Sequence, residues 1–182
     1  MRIISGDFRG RLIQCPAGSH VRPTSDRVRE SVFNLLSSRI SLAGQPVADW
    51  FAGSGAYGIE CLSRGASHVQ FIDHHPQSVK TIRANLKSLN IDTEKADIIK
   101  ADVHNWASRS NSNPFSVIFA DPPYDYADRS SFLSLLTGRN GCWKTSWIVF
   151  ETSTGFSAPE FDLAEVVRDY GSTRIVLFNP ES

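Results

Sequence analysis

At 182 residues, with 41% hydrophobic and 21% charged side chains, the chain has sequence enough for one sheet-and-helix core and little for a second. Its formal net charge is zero, which argues against strong nonspecific nucleic-acid binding, and no apolar run approaches the ~20 residues that span a bilayer. The three cysteines (Cys15, Cys61 and Cys142) have no CxxC or Cys/His ligand spacing, which argues against structural zinc and suits a reducing cytosol.

Charge is unevenly spread. Residues 1–40 hold seven arginines (Arg2, Arg9, Arg11, Arg22, Arg27, Arg29, Arg39) against Asp7, Asp26 and Glu30, an excess of four that the remainder must offset. Such an end is either a solvated basic surface or one that meets phosphates, for which arginine is suited. The first ten residues also carry charges where a signal peptide needs its apolar stretch.

In chain order, residues 1–15 alternate loosely around Gly6 and Gly10 and read as a hairpin or extended arm. A helix follows from Pro23-Thr24, with Thr24 as cap and Val28, Val32, Leu35 and Leu36 on one face. Val47–Phe51 is a strand, Gly53–Gly58 a turn, and Ile59 and Leu62 belong to a helix stopped by Gly65. Val69–Ile72 is the next strand. Pro76 opens a helix through Val79, Ile82, Leu86 and Leu89. Asp97–Lys100, Phe115–Ala120 and Trp147–Phe150 are further strands, and Phe132, Leu135 and Leu136 mark a helix between the last two. Leu163–Arg168 and Thr173–Phe178 form a hairpin around Asp169-Tyr170-Gly171-Ser172. Repeated strand-helix units ending in a hairpin predict an α/β, mostly parallel sheet with one antiparallel strand. The expected division is one domain over 1–182, residues 1–40 forming an arm and helix and 47–178 the core.

Two segments carry chemistry. Asp121-Pro122-Pro123-Tyr124 follows an apolar strand, where open α/β sheets bind ligands. It offers a carboxylate, a carbonyl outside the ladder and an aromatic face, a set suited to a planar base with an exocyclic amine. The plain alternative is a turn, since Pro-Pro breaks a strand. Gly53-Ser54-Gly55-Ala56-Tyr57-Gly58 is a GxGxxG loop between strand and helix, which lets a ligand approach backbone N–H groups. Asp73, 20 residues after Gly53, could grip ribose hydroxyls of either NAD or S-adenosylmethionine. Asp49 leans toward the second, because a carboxylate near the loop repels pyrophosphate and attracts an ammonium. Asp49 could equally bond the turn, and Asp102, followed by Val103, could accept from an adenine amine or close a turn.

With these residues in view, the chain resembles class I S-adenosylmethionine-dependent methyltransferases, and more narrowly the RsmD-type 16S ribosomal RNA guanine-N2 methyltransferases. The resemblance covers nearly the whole chain: Arg2–Arg11, Arg22–Glu30, Asp49–Gly65 and Asp121–Tyr124. It implies a Rossmann-like seven-stranded sheet and methylation of the exocyclic N2 of one guanine, position 966 in the family name. It implies that Asp49, Gly53, Gly55, Asp73, Asp102 and Val103 bind cofactor, and that Asp121, Pro122 and Tyr124 meet the base. RNA contacts fall to Arg9, Arg11, Arg22, Arg27 and Arg29, with Arg22 and Arg29 also able to bind the cofactor carboxylate or Asp121. The chemistry requires no metal, and the expected protein is a cytoplasmic monomer acting on 16S rRNA, bare or in a small-subunit particle. The shorter Asp73, where relatives more often have Glu, implies a single or water-bridged ribose contact. The alternatives are an adenine-N6 or other nucleic-acid amino methyltransferase and, more distantly, an NAD-linked oxidoreductase.

Overall fold

The computed structural model describes residues 1–16, 25–109, 114–138 and 145–180. Five parallel strands form its centre: β1 (Pro46–Trp50), β2 (His68–Asp73), β3 (Ala96–Lys100), β4 (Val117–Ala120) and β5 (Trp147–Ser153). The closing hairpin is β6 (Val166–Tyr170) and β7 (Thr173–Phe178), and β7 inserts antiparallel between β5 and β6. The sheet order is β3-β2-β1-β4-β5-β7-β6. Order reverses between β1 and β4, the switch point where such sheets open a crevice for ligands.

Helices cover both faces. On one lie α1 (Asp26–Ser37), α2 (Ala56–Ser63) and α3 (Pro76–Ser88), packed with Val47, Val69, Phe71, Val117, Phe119 and Val149. On the other, α4 (Val103–Arg109) and α5 (Arg129–Thr137) pack with Ala48, Trp50, Ile72, Ile118, Ala120 and Phe150. Burial on both faces explains the continuous apolar strands, and each large side chain fully buried contributes roughly 1.5–3 kcal/mol.

The period-two alternation also sorts the acids. Asp49, Asp73, Asp121 and Glu151 all fall in the frame that faces α1, α2 and α3. Pairing of Trp50 with Ile72 and Ala120, and of Ala120 with Phe150, puts Asp73, Asp121 and Glu151 at one level. Asp49 lies one pleat deeper.

Residues 1–16 form the expected arm, with a single antiparallel bridge between Arg2 and Leu12. Ile3 and Ile13 are buried in the α1–α3 core. Three local expectations change. The cap of α1 is Ser25, whose hydroxyl accepts from the Val28 N–H at 3.3 Å, while Pro23 and Thr24 lie outside the described residues. The apolar Leu163 ends a 3-10 turn over Pro159–Leu163, because Pro159 cannot donate to a ladder, and β6 starts later. Helix α4, unforeseen, buries only Val103 and Ala107 along its seven residues, too few for a visible period.

Candidate active site

Strand β1 ends at Trp50, and the chain turns into α2 through backbone that favours glycine: Gly53 has φ 53° and Gly55 φ 77°. The third glycine serves packing. A Cβ at Gly58 would stand 2.3 Å from the Phe71 ring and 2.7 Å from Val69, so only glycine lets α2 approach β2. Asp49 Oδ2 accepts the Gly58 N–H at 2.8 Å from below the loop. Asp73 Oδ2 accepts the Gly53 N–H at 2.8 Å, and its Oδ1 accepts that of His75 at 2.8 Å. Both acids therefore hold the turn as well as lining it. Each carboxylate oxygen can accept more than once, so these bonds leave capacity for a ligand.

Asp49 is the electrostatic signature of the loop. Burial raises its pKa from 3.8 to about 8, the Gly58 N–H opposes the rise, and Asp73 adds to it. At neutral pH a large share of Asp49 is protonated. A cationic group beside it is what would restore the carboxylate, whereas a pyrophosphate would face two acids. The donor set therefore fits the ammonium and sulfonium of S-adenosylmethionine.

Asp102 is exposed at the end of β3, where its Oδ1 accepts the Asn105 N–H at 2.8 Å and caps α4. With Ala101, Asn105, Trp106 and Arg109 it lines an open cleft of about 370 Å³. Val103 is buried behind it. Tyr126 faces the same acid, and burial, then Asp102 and Asp128, push its hydroxyl up to about 12. Phe51 meets the Tyr126 ring edge-on at 5.2 Å.

At the end of β4, Asp121 is half-buried and its N–H reaches the Trp50 carbonyl at 3.4 Å. The Pro123 carbonyl takes two donors, Tyr126 N–H at 2.9 Å and Arg129 Nη2 at 2.8 Å. The Pro122 carbonyl accepts from no group among the described residues. Tyr124 is 42% exposed, and its hydroxyl meets Thr173 Oγ1 at 3.2 Å. Arg129 is buried and lies over Phe156 at 5.0 Å, so it clamps the loop from behind.

Sequence reasoning missed what lies beneath Asp121. Glu151 is buried, and Tyr57 donates its hydroxyl to Glu151 Oε2 at 2.9 Å while stacking on Phe119 at 4.7 Å. Burial first, then Glu151 and Asp121, push the Tyr57 hydroxyl well above its ordinary range, so it stays a donor. An acid following the apolar Trp147–Phe150 run was the available signal, once aligned with Asp121 after Ala120.

The arginines separate. Arg9 and Arg27 are exposed. Arg11 is exposed but bonds the closing carbonyls of α3, Ser88 at 2.5 Å and Leu89 at 3.3 Å. Arg22 lies outside the described residues. Arg29, grouped with them as RNA-facing, instead points inward at 0% exposure, because helical spacing puts it beside Val28, Val32 and Phe33. Its Nη2 bonds the Arg2 carbonyl at 2.6 Å and Asp26 at 2.7 Å, while its buried Nε and Nη1 have no hydrogen-bond partner among the described residues. Among the described residues no group of three or more His, Cys, Asp or Glu is arranged to hold a metal ion.

A seven-stranded sheet of this order, with one reversed strand and a glycine loop at its switch point, is the Rossmann-like methyltransferase fold. The solved structure of yhhF from Escherichia coli matches with a TM-score of 0.82 and 27% identity, covering 100% of this chain and 98% of that one. The family described as Conserved hypothetical protein 95 matches residues 1–179, and the chain belongs to it. The Bacillus subtilis protein YlbH is 34% identical over 183 residues, 98% of each chain. The Ribosomal RNA small subunit methyltransferase D of Buchnera aphidicola (Acyrthosiphon pisum strain) is 34% identical over 149 residues, 82% of this chain and 76% of that protein.

Proposed function

We propose that this protein transfers the methyl group of S-adenosylmethionine to the exocyclic N2 of one guanine of 16S rRNA. The observation that carries the reading is the Asp121–Tyr124 edge, an acid, a Pro122 carbonyl that accepts from no group among the described residues and an exposed ring beside a loop suited to a cation. The name of the Buchnera relative supports rRNA as the substrate class.

S-adenosylmethionine, when bound, supplies an electrophilic methyl on a sulfonium. Gly53 and Gly55 give it room, Asp49 and Asp73 face its cationic and ribose parts, and Asp102 with Val103 borders the adenine. The guanine amine is a poor nucleophile because its lone pair is delocalised into the ring. The Asp121 carboxylate and Pro122 carbonyl accept hydrogen bonds from its two N–H groups, favour a pyramidal nitrogen and stabilise the positive charge that develops there as the methyl leaves sulfur. Tyr124 stacks on the base and fixes the line of attack. Such a pocket admits only an unpaired or flipped base. Arg9 and Arg27 face the RNA phosphates, and a cytoplasmic monomer acting on a ribosomal particle is the simplest form.

The test is transfer of labelled methyl to small-subunit particles, bare 16S RNA and DNA, the RNA taken from cells lacking the enzyme. N2-methylguanosine at one position is the expected product. Methylated adenine, or label on DNA alone, overturns the reading.

A further inference from the structure

One buried side chain of α3 touches both the basic arm and the glycine loop. Asn85 is 1% exposed. Its Oδ1 accepts the Gln14 N–H at 2.8 Å, and its Nδ2 donates to the carbonyls of Gln14 and Ser54, each at 2.9 Å. Two carbonyls on one side and an N–H on the other fix which amide atom is nitrogen. Both hydrogens of that nitrogen are thereby used, one on the arm and one on the loop.

The Ser54 carbonyl is where the loop needs support from outside. Gly53 and Gly55 flank it, with φ 53° and 77°, and glycine has the most backbone freedom to lose. Asp73 holds the Gly53 N–H from the β2 side, and Asn85 holds the Ser54–Gly55 peptide from the α3 side. Ser54 Oγ also lies 3.7 Å from Met1 Sδ, so the arm meets this residue from both its ends. Arg11 ties the arm to the same helix through the Ser88 and Leu89 carbonyls. If the arm shifts, one short amide cannot keep both the Gln14 and the Ser54 carbonyls. Arg9, set against RNA phosphates above, is exposed on this arm.

We propose that Asn85 is a positioning residue that couples the two sites. RNA held on the arm keeps Gln14 docked, Asn85 then keeps the Ser54 carbonyl in place, and cofactor affinity rises. This rests on the RNA reading above. By linkage, cofactor raises RNA affinity by the same factor.

The probe is S-adenosylhomocysteine, which has no methyl to transfer, titrated by calorimetry with and without saturating 16S RNA. The wild type should bind it about 5- to 150-fold more tightly with RNA present. Asn85→Leu, which nearly keeps the volume and removes the bonds to Gln14 and Ser54, should bring that ratio within about two-fold of one. A merely structural Asn85 would lose affinity equally with and without RNA and leave the ratio intact. That result, or a wild-type ratio near one with RNA bound, overturns the coupling. If the leucine variant folds poorly, hydrogen exchange on the wild type decides. RNA should slow exchange at the Gln14 and Gly55 amides together, and no slowing at Gly55 overturns the proposal. A wild type that binds no RNA overturns the parent reading as well.

Discussion

Asp49 and Asp121 sit at the ends of adjacent parallel strands, yet their environments assign them different work. Asp49 lies a pleat deeper, and burial raises it from 3.8 to about 8. Because the folded protein then holds a proton that the unfolded chain has lost, this group's contribution to stability is full below about pH 4 and declines as pH rises toward 8. Urea unfolding of the unliganded protein should show that decline, and Asp49→Asn should remove its share of the slope. Cofactor binding should release a proton near neutrality, read by calorimetry in buffers of different ionisation enthalpy, and Asp49→Asn should release none there. Asp121 is half-buried, and the proposed mechanism sets it against the substrate amine. Asp121→Ala should keep cofactor affinity within a few-fold and lower kcat by about 10²–10³, the usual loss for one transition-state contact. Turnover near the parent rate would remove Asp121 from the mechanism. Both acids were legible as strand-end residues. That Asp49 could bond the turn was legible too; that its partner is Gly58, and that Asp121 reaches Trp50, was not, because a strand's depth depends on its neighbours' register.

At the scale of elements, the glycine loop and α2 form one device. Gly55 turns the chain with φ 77°, and Gly58 lets the helix lie on Phe71 and Val69. Gly58→Ala should cost about 1–3 kcal/mol by overpacking, with weaker cofactor binding as α2 lifts from Asp49. Thermal melting with a cofactor titration checks both, and a variant as stable as the parent would show that α2 can shift freely. The outer face of α2 does further work. The Glu60 carboxylate accepts the N–H groups of Ile4 at 2.8 Å and Ser5 at 3.0 Å, and Ser63 Oγ accepts that of Phe8 at 3.0 Å. Strands and long helices were readable from periodicity. Helix α4 was not, because its short contact with α5 is decided by tertiary packing.

For the whole molecule, the arm is stapled to the glycine-loop end of the sheet. Asn85 of α3 accepts the Gln14 N–H at 2.8 Å and donates to the carbonyls of Gln14 and Ser54, each at 2.9 Å. Basic residues thus stand on the same body as the glycine loop although the net charge is zero. Arg9→Glu with Arg27→Glu should weaken RNA binding and reduce the slope of log affinity against log salt by roughly 0.7–0.9 per lost phosphate contact. Filter binding across salt concentrations measures this, with cofactor affinity as the control. An unchanged slope would place the RNA elsewhere.

The strand-turn-helix order, the glycine loop, the strand-end acids and the Asp121–Tyr124 edge could be read from the residues alone, because each is written in local periodicity and turn chemistry. The residues also carried the family resemblance. That Arg29 points inward, that Arg11 closes α3, and that Tyr57 bonds Glu151 emerged from packing in three dimensions. Those pairings join residues distant in sequence, and their geometry is set by sheet register and helix phase, which no short window of residues contains.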